Sequence, residues 1–215
     1  QGAQGPSGRL AFQVHGRAEG LKHLSLTALA QDSTGFIWAG TEGGAYRYDG
    51  AGFRRWTVAD GLPSSWVECF SPDADGSLWI GTRRGLSRFR SGRITEVTEP
   101  QALAHAEVKY LLRTQGGDLW AATDHGLFMR GVVGPFEAAA GWPGGKAYWV
   151  SAGREGLWVG AESGVRLLKG GSWRTFGPES GLSGEPVKAA EEDGAGRLWV
   201  RTPTALFVRR PGGSL

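Results

Sequence analysis

The side chains that could do chemistry are few: His15, His23, His105, His125, the single Cys69, and a scatter of acids and bases. No two histidines stand at metal-ligand spacing, so no metal site is expected. Cys69 lies in the apolar stretch WVECF. Alone it can form no internal disulfide, and no neighbour in sequence supplies a base to make it a nucleophile. DADG at residues 73–76 has the opening of a calcium loop but lacks the downstream Glu at the required spacing. Ser180 and Ser183, in GPESGLSG, do not form the G-x-S-x-G nucleophile elbow. Neither a catalytic constellation nor a cofactor is expected. The remaining charged residues acquire meaning only through the elements that would place them.

Those elements are announced by a repeat. Trp38, Trp79, Trp120, Trp158 and Trp199 are spaced 41, 41, 38 and 41 residues apart. Three residues after each stands Thr41, Thr82, Thr123, Ala161 or Thr202, and six after stands Gly44, Gly85, Gly126, Gly164 or Ala205. Asp32, Asp73 and Asp193 precede their tryptophans by six, with Thr114 and Ala152 breaking that column. Asp-x-x-Gly is a tight turn, because Asp can bond its own backbone and Gly supplies positive φ. The short apolar run around each Trp reads as a strand buried on both faces. Thr-x-x-Gly marks the next turn, and outer strands are expected to begin near Phe12, Phe53, Ile94, Phe136 and Trp173. Four short strands in about 41 residues is the length of one propeller blade. No segment carries an apolar stripe at helical spacing.

The fold expected is therefore an all-β propeller of four-stranded antiparallel blades, five in number. Its single domain would run over residues 10–210, with flexible segments at 1–9 and 211–215. The last blade would be closed by an N-terminal strand over residues 10–16, which removes exposed sheet edges. The rival is part of a seven-bladed ring, which would self-associate through its open faces. Charge is weakly positive, formally +3, with no Lys/Arg run longer than two. Nucleic-acid binding would need a basic stripe, and membrane insertion a long apolar run; neither is expected.

In a propeller the first strand of each blade lines the central channel, and the loop after the second strand opens on the same face. Two columns should converge there. The post-Trp loops TEGG, TRRG, TDHG, AESG and TPTA contribute Glu42, Arg83, Arg84, Asp124, His125, Glu162 and Pro203. Eleven residues before each Trp stand Thr27, Glu68, Lys109, Ala147 and Lys188. Repeats keep scaffold positions alike and vary the face that does specific work. Glu42, Glu68, Arg83, Arg84, Lys109, Asp124, His125, Glu162 and Lys188 are thus the candidate ligand-binding residues. Arg83 and Arg84 would suit a carboxylate or phosphate. Trp66, Tyr148 and Trp149 near the rim could stack on a sugar ring.

DGSLWIGTRRGLSRF and QDSTGFIWAGTEGGAYRYDGAGF resemble the two-component regulator propeller repeat, and the resemblance extends over about residues 10–210. It implies a non-enzymatic, extracytoplasmic sensing or interaction module of a bacterial signalling protein. Such a module would take a small anionic or carbohydrate-like ligand and pass its signal to a downstream domain or partner protein. GGDLW at 116–120 echoes a cyclase motif but is the third copy of the turn-and-strand phrase. Two alternatives stand beside the sensor. One is a propeller lyase or hydrolase with its site at the channel mouth, using Glu68, Asp124 and His125. The other is a self-assembling scaffold.

Overall fold

The computed structural model describes residues 13–211. They form five antiparallel sheets, one for each marker tryptophan. Blade 1 comprises β1 (Leu26–Gln31), β2 (Ile37–Thr41), β3 (Gly44–Tyr48) and β4 (Phe53–Trp56). Blade 2 comprises β5 (Val67–Pro72), β6 (Leu78–Thr82), β7 (Gly85–Arg90) and β8 (Arg93–Glu96). Blade 3 is β9 (Val108–Arg113), β10 (Leu119–Thr123), β11 (Gly126–Arg130) and the short β12 (Glu137–Ala138). Blade 4 is β13 (Ala147–Ala152), β14 (Leu157–Ala161), β15 (Gly164–Lys169) and β16 (Ser172–Phe176). Blade 5 holds β17 (Ala189–Glu192), β18 (Leu198–Arg201) and β19 (Leu206–Arg209). Among the described residues one α-helical turn, α1 (Gln101–Ala104), precedes β9 and was not foreseen. It buries only Leu103 and Ala104, too short a stretch to write a helical stripe.

The repeated columns have structural causes. The indole N–H groups of Trp38, Trp79 and Trp199 donate to Asp32, Asp73 and Asp193 at 2.8, 2.9 and 2.9 Å. Each Asp thereby ties its turn to its own tryptophan, and Trp38 and Trp79 fill the space between successive blades. Blade 4 has Ala152 at this position, and Trp158 donates instead to Glu192 of blade 5, at 3.4 Å. The threonine hydroxyls of Thr41, Thr82 and Thr123 donate to the carbonyls of Gly44, Gly85 and Gly126 at 2.8–3.0 Å, closing the next turn. Glycine there is doubly required. Gly44 has φ +140°, and a Cβ on it would lie 2.3 Å from the Trp56 carbonyl oxygen of β4. Blade 5 carries Ala205 at this position, and among the described residues its sheet has no fourth strand alongside.

Apolar seams join successive blades. Trp38, Trp56, Val67, Ile80 and Phe89 pack between blades 1 and 2, and Cys69, Trp79, Val108, Leu119 and Phe136 between blades 2 and 3. Trp120, Ala147 and Val159 pack between blades 3 and 4, and Trp158, Phe176, Val187 and Val200 between blades 4 and 5. Among the described residues no such cluster joins blade 5 to blade 1. Leu29 is 70% exposed on blade 1, as are Leu206 and Val208, at 63% and 47%, on blade 5. Residues 10–12 of the expected closing strand lie outside the described residues, as do residues 1–9 and 212–215 of the expected terminal segments. Residues 13–16 form no strand, and the His15 ring lies against Tyr48 of blade 1, 4.7 Å between centroids.

Candidate functional site

The channel strands of blades 1 to 4 share one irregularity. Register slips between Leu26 and Ala28, between Val67 and Cys69, opposite Ala122 and Thr123, and between Ala147 and Trp149. Each slip is a β-bulge, which leaves one residue unpaired and re-aims its side chain. The residues so released are Thr27, Glu68, Lys109 and Tyr148, and Lys188 occupies the corresponding place just before β17. This is the column expected from the sequence, with one correction. In blade 4 the member is Tyr148, because the β13–β14 hairpin is one residue shorter, so counting eleven back from Trp158 lands on buried Ala147. Thr27 turns away, donating to the Val67 carbonyl at 2.6 Å.

A second tier surrounds this ring. The residue that precedes each bulged segment meets the post-Trp loop of its own blade. Ser25 donates to Glu42 at 3.0 Å. The Arg83 guanidinium lies 3.2 Å above the Trp66 ring, a cation–π contact. Asp124 accepts from the backbone N–H of Glu107 at 2.7 Å, and Lys146 is 3.9 Å from Glu162. Glu107 and Lys146 were missed in the sequence, although the column is legible twelve or thirteen residues before each Trp. Arg84 is exposed, and its N–H donates to Thr82. His125 is exposed, with Nδ1 2.9 Å from the Ala102 carbonyl oxygen.

The charges on the two sides of the mouth differ. On the side of blades 2 and 3, Arg83 pairs with Glu68 at 2.8 Å and Glu107 at 3.5 Å, and Lys109 pairs with Glu107 at 2.5 Å. Two bases and two acids neutralise one another. On the side of blades 4 and 5, the Lys188 ammonium sits 3.5 Å from the centroid of the Tyr148 ring. Lys188 belongs to none of the ion pairs among the described residues. Burial holds its ammonium below the usual lysine range, and Lys109, Arg201 and Lys146 push the same way, against Glu107.

Beneath the ring lies a cavity of about 420 Å³ bounded by Thr27, Glu68, Cys69, Lys109, Tyr110 and Trp149, among others. Tyr110 and Trp149 stack at 3.7 Å, and the Trp149 indole donates to Glu191 at 3.1 Å. Burial raises the Glu191 carboxyl above its usual range, partly opposed by that hydrogen bond. Cys69 is buried, and burial pushes its thiol far up, which leaves it inert. A larger cleft, about 540 Å³, opens on the opposite face by Thr114, Arg154 and Glu192. Its groups serve one another: Glu192 accepts from the Arg154 backbone N–H, and the Arg154 side chain donates to the Gly194 carbonyl. Asp73 and Asp75 of the DADG turn are likewise engaged, by Trp79 and Arg113 and by Ser77 and Arg88 respectively. No cluster of three metal-ligating side chains occurs among the described residues. No helix among them is long and apolar enough to cross a membrane.

Comparisons place this geometry among known proteins. The extracellular domain of a hybrid two component system from B. thetaiotaomicron superposes with a TM-score of 0.76 at 20% identity, over 93% of this chain and 30% of that one. The extracellular domain of a one component system from the same organism gives 0.74 at 18% identity, over 86% and 27%. Virginiamycin B lyase from Staphylococcus aureus gives 0.63 at 14% identity, over 86% and 70%. The chain thus spans under a third of the length of these two extracellular domains. No curated protein matches it. The sequence model described as two component regulator propeller matches residues 20–43 and 61–84, the stretches that hold the best-kept copies of the turn, the Trp strand and the Gly-Leu loop. Those two stretches, which lead into and form the first two strands of blades 1 and 2, are similar to the two component regulator propeller repeat.

Proposed function

We propose that this propeller is a non-enzymatic, extracytoplasmic recognition module of a bacterial signalling protein, with the bulge-lined channel mouth as its binding surface. The bulge ring carries the reading. A bulge interrupts the ladder hydrogen bonds, and here it recurs in four blades, each time beneath a residue type the repeat does not keep: Thr27, Glu68, Lys109, Tyr148. Kinship in fold with extracellular domains of two component and one component systems supports it. A bound ligand would act by contacting the mouth differently in two arrangements of the module and its neighbour.

The lyase likeness is the enzymatic alternative, and the candidate acid–base residues do not converge for it. Glu68 is held by Arg83, Asp124 by a backbone N–H, and His125 faces a backbone carbonyl. General acid–base work needs such groups within reach of one reacting atom. A scaffold reading rests on a separate observation, the exposed apolar end faces at Leu29 and at Leu206–Val208.

Calorimetric titration with a panel of small carboxylates, phosphates and oligosaccharides tests the proposal. Binders should lose at least tenfold in affinity in Glu68→Ala or Lys109→Ala, with melting temperatures nearly unchanged and no turnover of the ligand. Binders indifferent to both changes, or a ligand that is consumed, would contradict it.

A further inference from the structure

The two sides of the mouth point to a division of labour. A cation buried among cations is costly unless something negative joins it. Around Arg83 the protein supplies its own carboxylates, Glu68 and Glu107. Around Lys188 it supplies an aromatic face, Tyr148, and a field in which Lys109, Arg201 and Lys146 outweigh Glu107. Arg201 is tied to this spot by the ladder, since the Lys188 N–H donates to the Arg201 carbonyl at 2.8 Å. Two acids on this side are engaged at the rim: Glu162 stands with Lys146, and Glu185 accepts from the Thr202 and Thr204 hydroxyls. The ammonium of Lys188 is thus held at the mouth by the Tyr148 ring, without a carboxylate partner. The stacked Tyr110–Trp149 pair lines the channel cavity, Trp149 following Tyr148 in the chain.

We propose that Lys188, with Tyr148, Lys146 and Arg201, forms an anion subsite that takes one oxyanion group, carboxylate, sulfate or phosphate, of a small ligand. The uncharged body of that ligand lies inward, against the Tyr110–Trp149 face. This rests on the channel mouth being the binding surface and moves the anion from the Arg83–Arg84 side to the opposite rim. Arg83 is engaged by two carboxylates and a tryptophan ring, so an anion there would have to displace them. At Lys188 it displaces no carboxylate. Lysine serves as a point charge, so any oxyanion geometry is accepted, and the aromatic face supplies the selectivity.

Inorganic sulfate and inorganic phosphate are the probes, titrated calorimetrically into the full chain at low ionic strength. Both should bind with one-to-one stoichiometry. Lys188→Met should weaken binding at least about tenfold, the expected loss of one charge-assisted contact. Lys188→Arg should retain binding, and Arg93→Ala on the distant β8 should leave it unchanged. Sulfate should also raise the Lys188 pKa read by NMR on the labelled side chain, which a loss of folding could not imitate. Sulfate binding lost in Arg83→Ala but kept in Lys188→Met would overturn the subsite while leaving the mouth in place. No anion binding would likewise overturn it, and uncharged ligands lost in Glu68→Ala would then still uphold the mouth. Ligands indifferent to every mouth residue would overturn both.

Discussion

Blades 2 and 4 present the same architecture to the channel and end in opposite chemistry. Both carry the bulge, and both bury the marker tryptophan, Trp79 and Trp158. In blade 2 the bulged Glu68 belongs to a four-residue salt network that leaves no net charge. In blade 4 the bulged Tyr148 forms a platform for a lysine with no acid beside it. The difference extends to the far end of the strand pair. Blade 2 holds its tryptophan with its own Asp73, whereas blade 4 has Ala152 and borrows Glu192 from blade 5. A shared scaffold is thus kept by apolar burial and a turn, while the polar residues upon it are free to diverge.

Breaking the scaffold should affect both blades alike. Trp79→Ala and Trp158→Ala should each cost about 3–5 kcal/mol in urea unfolding, the range for truncating a buried large aromatic. A loss in one blade only would mean that the two seams are not equivalent. Asp73→Ala should cost about 2–3 kcal/mol, because it removes the acceptor of Trp79 and the 2.7 Å partner of the mostly buried Arg113 together. Glu192→Gln should cost less, about 1 kcal/mol or under, since an amide oxygen can still accept from Trp158. Equal losses would show that the borrowed contact is as strong as the native one.

At the mouth the contrast should reverse in sign. Arg83→Ala removes a half-exposed pair and should destabilise by about 0.5–1 kcal/mol. Lys188→Met should stabilise slightly at neutral pH. The Lys188 pKa is lowered on folding, so the folded state holds its proton less tightly than the unfolded state, and stability from this group rises as pH increases through the folded value. The gain from Lys188→Met should therefore fade on the alkaline side. Urea midpoints of both variants between neutral and alkaline pH check this, and a destabilised Lys188→Met would contradict it. The smallest effect concerns Cys69. Its thiol should ignore iodoacetamide in the native state and react on unfolding, as followed by mass spectrometry.

The scaffold was legible because its requirements repeat. Trp79 and Trp158 must fill the same space, and Gly44 and Gly164 must face a neighbouring carbonyl, so the same letters return. The site was legible only in part. Glu68, Lys109 and Lys188 fell out of a column counted from tryptophan, but Tyr148 did not, because blade 4 drops one residue from a hairpin. Glu107, Lys146 and Arg201 were passed over for a different reason, although the first two share a legible column. Their role depends on which side chain of another strand they meet, and that is fixed by bulge geometry and blade packing rather than by spacing along the chain. Asp124 and His125 looked chemical in sequence, yet one caps a backbone N–H and the other meets a carbonyl.

The most direct measurement is a backbone amide NMR titration of the full chain with sulfate. Perturbations confined to residues 146–149, 188 and 201 are the result expected from an anion-binding mouth on the blade 4–blade 5 side. Perturbations centred on Arg83 and Arg84, or spread over the surface with no focus at the channel, would contradict it.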